Sequence, residues 1–137
     1  MEEESYNRSM PGGCLFAYGT LRSGECRHWL LEPGKVKSSI LGSVRGTLFD
    51  LGDYPGMRLE AEASRKVQGE IFEFEDLERI LALLDEEEGP DYRRELVSVQ
   101  SADGQEIQAW AYVLISEPAG APEITTGDWR RYAGGSK

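Results

Sequence analysis

The stretch from Cys14 to Arg22, Cys-Leu-Phe-Ala-Tyr-Gly-Thr-Leu-Arg, restricts the fold more than any other part of the chain. Cys14, Leu15, Phe16 and Ala17 are apolar without alternation, the pattern of a short strand covered on both faces. Such a strand needs packed neighbours on each side and belongs in the interior of a sheet. Gly19 then ends the run, and a residue without a Cβ lets the backbone turn sharply or come close to a ligand. The amide N–H groups of Thr20, Leu21 and Arg22 could then face a bound group. A buried strand followed by an ordinary turn accounts for the same residues, so the stretch alone does not establish a site.

With 137 residues the chain is long enough for one domain with its own core. Residues 1–13 carry Glu2, Glu3 and Glu4 and close with Pro11, Gly12 and Gly13, which predicts a flexible tail ahead of a single domain over 14–137. No apolar run approaches the roughly 18 residues of a spanning helix, so no membrane partner is expected. The first residues are acidic where an export signal is basic and then apolar, which makes the cytoplasm the expected location. A net charge of −10 argues against a nucleic-acid partner, because neutralising phosphates takes clustered Lys and Arg. Cys14 and Cys26 have neither metal-site nor disulfide-framework spacing and read as free thiols. His28 is the only histidine, so a two-histidine zinc motif is excluded and a Ser-His-Asp triad would have to use it. A packing or surface role is the better reading of that residue. There is no dinucleotide fingerprint, no phosphate-cradling loop and no internal repeat.

Along the chain, Gly24 to Glu32 predicts a short helix stopped by Pro33 and Gly34. Ser39 to Asp53 mixes Gly with β-branched and apolar residues and reads as a strand bent at Gly42 and Gly46, as in a curved or barrel-like sheet. Tyr54, Pro55 and Gly56 read as a turn, Glu60 to Arg65 as a polar loop and Lys66 to Phe74 as another strand. The firmest helix lies in Glu75 to Glu88. Asp76 can cap it, Leu77, Ile80, Leu81 and Leu84 keep one buried face, and Gly89-Pro90 ends it. Tyr92 to Gln100 and Gln105 to Ile115 read as the strands of a hairpin turning at Asp103-Gly104. Trp129 and Tyr132, costly to leave in water, predict that the final segment packs back on the domain.

The acidic run Asp85-Glu86-Glu87-Glu88 closes the predicted helix, where the macrodipole disfavours negative charge by about 0.3 to 1 kcal/mol each. Two readings compete: a solvated acidic surface, or a carboxylate held there because a site needs it. In the second case a partly buried member would have a raised pKa and suit a general base.

In order and spacing, the Tyr18-Gly19-Thr20-Leu21-Arg22 loop and the segment from Leu83-Leu84-Asp85 through Glu88-Gly89 to Tyr92-Arg93-Arg94 resemble the γ-glutamylcyclotransferase-like family, most closely its γ-glutamylamine cyclotransferase and AIG2-like branch. The resemblance extends over Gly24 with Leu30-Leu31, Gly46 to Asp50, Tyr54-Pro55-Gly56, Gly69-Glu70 to Phe72 and Gly127-Asp128-Trp129-Arg130. It implies an α+β fold, a small mixed β-barrel with a few surrounding helices. It also implies Glu88 as the acid/base and Tyr18, Gly19, Thr20 and Leu21 as substrate-binding residues, to which we add Arg22 and Tyr92. The residue before the glutamate, commonly aromatic in the family, is Glu87 here, so Glu86 and Glu87 stay open as sharers of its role.

The implied reaction needs no metal, cofactor or enzyme nucleophile. The α-amine of a small γ-glutamyl substrate attacks its own γ-carbonyl, giving 5-oxoproline and a free amine or amino acid. One carboxylate can take the ammonium proton and return it to the leaving nitrogen, a role worth about 10²- to 10⁴-fold. The alternative is a binding domain of the same fold that captures an amino-acid-like ligand without turning it over. A third reading, a scaffold whose acidic helix docks on a basic partner, rests on the charge run alone. Neither the particular γ-glutamyl compound nor the oligomeric state follows from these residues.

Overall fold

In the computed structural model, which describes residues 13–25, 27–60, 65–116 and 118–135, β1 (Cys14–Ala17) is buried along its whole length. Side chains of Cys14, Phe16 and Tyr18 enter one hydrophobic cluster, and those of Leu15 and Ala17 enter another. An apolar run without alternation thus marks a strand that separates two cores. The first core fills a barrel. The second lies between the barrel wall and the helices.

The remaining strands are β2 (Val36–Asp50), β3 (Pro55–Leu59), β4 (Lys66–Phe74), β5 (Tyr92–Ser101) and β6 (Glu106–Leu114). β1 runs antiparallel to β4 and parallel to β6, while β4 pairs with β2 and β6 with β5, both antiparallel. Pairing of β2 with β5, Gly42 opposite Ser101 and Ser43 opposite Gln100, closes a ring of five strands. The single parallel pair makes the barrel mixed, as expected for the small mixed barrel of an α+β fold. Gly42 and Gly46 mark close approaches. A Cβ on Gly42 would lie 2.8 Å from Val99, and one on Gly46 2.4 Å from the Arg58 carbonyl oxygen.

Helix α1 (Leu77–Glu88) begins as its sequence requires, with Asp76 accepting a hydrogen bond from the Arg79 N–H at 3.2 Å. Leu77, Ile80, Leu81 and Leu84 are buried against Leu15, Phe72 and Phe74 in the second core. Each such side chain contributes about 1.5–3 kcal/mol when fully buried. Helix α2 (Trp129–Gly135) returns Trp129 to the first core, and the Tyr132 hydroxyl donates to Asp50 at 2.6 Å.

Three expectations about local structure are corrected. Tyr54-Pro55-Gly56 is not only a turn: Pro55 and Gly56 open β3, which pairs with Gly46 to Asp50 of β2. Proline is tolerated at the first position of a strand, so local turn chemistry yields to pairing. β2 starts at Val36 rather than Ser39. The helix expected over Gly24 to Glu32 is a 3₁₀ helix, His28–Gly34, that runs through Pro33. Gly24 instead adopts φ +84°, and the Arg27 N–H returns to the Thr20 carbonyl, so this segment makes turns. Residues 1–12 of the expected tail, Cys26 and residues 61–64 of the expected loop lie outside the described residues. No described helix is long and apolar enough to cross a membrane.

Candidate active site

Where β1 ends, Tyr18 to Leu21 border a cavity of about 130 Å³ whose other walls come from Tyr54 and Pro55, the end of α1, Tyr92 and Tyr112. Gly19 is required by a close approach: a Cβ there would lie 2.7 Å from Pro55 Cγ. The loop folds back on itself, the Arg22 N–H donating to the Gly19 carbonyl at 3.1 Å. That leaves the Thr20 and Leu21 amides without an acceptor among the described residues.

Glu88 ends α1 at a half-buried position on this cavity, and Gly89, at φ +81°, turns the chain toward β5. Burial pushes the Glu88 carboxyl above the usual carboxylate range; the Arg27 guanidinium pulls it back and the Glu87 charge pushes it further. Two neighbouring carboxylates are committed elsewhere. Asp85 accepts the Tyr112 hydroxyl at 2.6 Å and faces Arg94 Nε at 3.2 Å, and Glu87 faces Arg27 at 3.5 Å. The Glu88 carboxylate accepts no hydrogen bond among the described residues.

The two tyrosines expected at the site present their rings to the cavity and spend their hydroxyls on backbone. Tyr18 donates to the Tyr112 carbonyl at 2.8 Å and accepts from the Met57 N–H at 3.2 Å. Burial drives its phenol well above the ordinary value. Tyr92 donates to the Pro55 carbonyl at 3.0 Å.

Of the residues expected at the site, Tyr18, Gly19, Thr20, Leu21, Glu88 and Tyr92 surround this one cavity, and Arg22 does not. Arg22 is buried behind the loop, with Nη1 3.4 Å from Asp128 Oδ1 and Nε 3.8 Å from Glu70 Oε1. A guanidinium that must be buried goes where carboxylates compensate it, and both of these are supplied by distant parts of the chain. Arg27, Tyr54, Glu87 and Tyr112 line the cavity without having been singled out. Strand alternation places Tyr112 on one face with Trp110, yet nothing local shows that this face meets the end of α1. For Arg27 no local signal exists.

His28 has a packing role: its Nδ1 lies 2.9 Å from the Leu21 carbonyl oxygen and its ring 5.4 Å from that of Phe72. Burial pushes the Cys14 thiol up to about 11, so it is not a ready nucleophile. Among the described residues no three His, Cys, Asp or Glu side chains converge as a metal site requires.

The site can therefore offer two amide donors, one cation and one carboxylate of raised basicity inside aromatic walls. Residues 15–131 match the profile of the family described as "Gamma-glutamyl cyclotransferase, AIG2-like". The chain is 32% identical over 117 residues to the "Putative gamma-glutamylcyclotransferase" of Vibrio cholerae, covering 84% of this chain and 93% of that one. It is 35% identical over 126 residues to the "Gamma-L-glutamyl-butirosin B gamma-glutamyl cyclotransferase" of Niallia circulans, covering 86% and 76%. The crystal structure of YkqA from Bacillus subtilis superposes with a TM-score of 0.71 at 28% identity, over 91% of this chain and 43% of that chain. The chain belongs to the gamma-glutamyl cyclotransferase, AIG2-like family.

Proposed function

We propose that the chain is a cofactor-independent γ-glutamyl cyclotransferase in which Glu88 is the acid and base. The observation that carries this reading is a carboxylate of raised basicity, without a hydrogen-bond partner among the described residues, on a cavity also lined by Thr20 and Leu21, whose amides have no acceptor among those residues.

The substrate's α-ammonium gives one proton to Glu88, and the neutral amine attacks the γ-carbonyl carbon to form a five-membered ring. The carbonyl electrons move to oxygen, and the Thr20 and Leu21 amides supply donors for that oxyanion or for the α-carboxylate. Arg27 supplies positive charge at the same wall. The carbon–nitrogen bond to the leaving group then breaks as Glu88 returns its proton to the departing nitrogen. The ring nitrogen sheds its second proton, which the released amine carries away as its ammonium. Holding amine and carbonyl in contact is itself a large part of such catalysis, because it removes the entropy of finding the reactive pose.

The test is release of 5-oxoproline from a panel of γ-glutamyl amines and γ-glutamyl amino acids by wild type and Glu88→Gln. We expect turnover of at least one compound and a loss of about 10²- to 10⁴-fold in the variant, with 5-oxoproline binding retained. Unchanged turnover in Glu88→Gln would move the role to Glu86 or Glu87. A wild type that binds 5-oxoproline but produces none from any compound would be a binding domain of the same fold.

A further inference from the structure

Among the described residues lining the cavity, Arg27 is the only cation, and it shares that wall with two consecutive carboxylates, Glu87 and Glu88. Its backbone is fixed to the same loop that lines the site: the Arg27 N–H donates to the Thr20 carbonyl at 2.9 Å, and the Arg27 carbonyl accepts from the Leu30 N–H at 3.0 Å. From that anchor the guanidinium goes to Glu87, with Nη2 3.5 Å from Oε1. It makes no ion pair with Glu88, although its charge reaches that carboxylate and the Tyr92 hydroxyl.

Glu88 is the more buried of the two carboxylates, and attraction between opposite charges strengthens as water is excluded. The pair that forms instead has side chains 31% and 46% exposed, and pairs so exposed are weak. Were Glu87 uncharged, Glu88 would be the one carboxylate left at the cavity for the guanidinium. An adjacent cation favours the ionised form of a carboxylate, so a Glu88 paired with Arg27 would hold a proton less readily. The other groups facing Glu88 do not compete for it. The hydroxyls of Tyr18, Tyr92 and Tyr112 are spent on the Tyr112 carbonyl, the Pro55 carbonyl and Asp85. Asp85 and Arg94, which share an open surface hollow with Glu88, pair with each other, and Tyr54 brings no cation.

Resting on the reading of Glu88 as the base, we infer that Glu87 is a positioning residue: it draws Arg27 off Glu88 and so leaves Glu88 free to accept the substrate's proton. The supporting juxtaposition is one guanidinium beside two consecutive carboxylates, paired with the exposed one.

The test follows the side-chain carboxyl carbon of Glu88 by NMR titration, assigned with Glu88→Gln, in wild type, Glu87→Gln, Arg27→Gln and the double variant. Both substituted side chains are partly exposed, so these variants should fold. We expect Glu87→Gln to lower the Glu88 titration midpoint at least about twice as far when Arg27 is present as in the Arg27→Gln background, where only the lost like charge acts. Release of 5-oxoproline by Glu87→Gln should fall by about tenfold as Arg27 takes up the base. Equal midpoint shifts in the two backgrounds, or unchanged turnover in Glu87→Gln, would overturn the positioning role and leave the cyclotransferase reading intact. Unequal shifts in a protein that yields no 5-oxoproline from any γ-glutamyl compound would overturn that reading, with Glu87 still steering Arg27 but serving no base.

Discussion

Glu88 stands where two costs coincide, the C-terminal end of a helix and a half-buried position. Because burial raises its pKa, the folded chain keeps the Glu88 proton to higher pH than the unfolded chain does. The stability that goes with that proton is present at low pH and is lost as pH rises through the raised folded value. Glu88→Gln, which cannot ionise, should therefore raise Tm at pH 7 and leave it unchanged at about pH 3, below the ordinary carboxylate value. Calorimetric scans at the two pH values check this, and a variant that melts below wild type at pH 7 would contradict it. Arg22 presents the opposite case. Its side chain is only 6% exposed, and truncating it leaves Glu70 and Asp128 without their cation. Arg22→Ala should cost about 3 kcal/mol in urea denaturation. If the arginine instead bound substrate, the loss would appear in KM with little change in stability.

Among the elements, α1 was legible in the sequence because every signal for it is local. Asp76 at the cap, Leu77, Ile80, Leu81 and Leu84 on one stripe and Gly89 at the end are all read within one window of residues. Leu84 is fully buried against the barrel wall, so Leu84→Ala should destabilise by about 2–5 kcal/mol. Equilibrium unfolding measures the loss, and a change under about 1 kcal/mol would mean the helix collapses onto the vacancy. β3 was not legible for the converse reason. Pro55 and Gly56 carry turn chemistry, and what makes them a strand is the edge of β2 running antiparallel beside them. The 3₁₀ helix is a similar case: Gly24 and the Arg27-to-Thr20 hydrogen bond delay its start, and the second of these depends on how the preceding loop folds.

For the whole molecule the decisive contact is the seam where β2 meets β5, without which the sheet would stay open. Gly42 sits at that seam, and a Cβ there would meet Val99, Ile71 and, at 3.1 Å, the Gln100 carbonyl oxygen. Gly42→Ala should cost about 1–3 kcal/mol and speed hydrogen exchange at the seam before the rest of the barrel. Protection equal to wild type there would show that the seam can absorb a methyl group. By itself the sequence determined where the apolar strand, the bends and the capped helix lie, because periodicity, capping and backbone freedom act over a few residues. Through the order of its motifs it also brought the Tyr18 to Leu21 loop and Glu88 into one hypothesis. Only the tertiary structure decided that Arg22 turns away to Glu70 and Asp128 and that Arg27 and Tyr112 reach the cavity. Those outcomes depend on which faces close the barrel and meet α1, and that choice is made by packing between residues far apart in the chain.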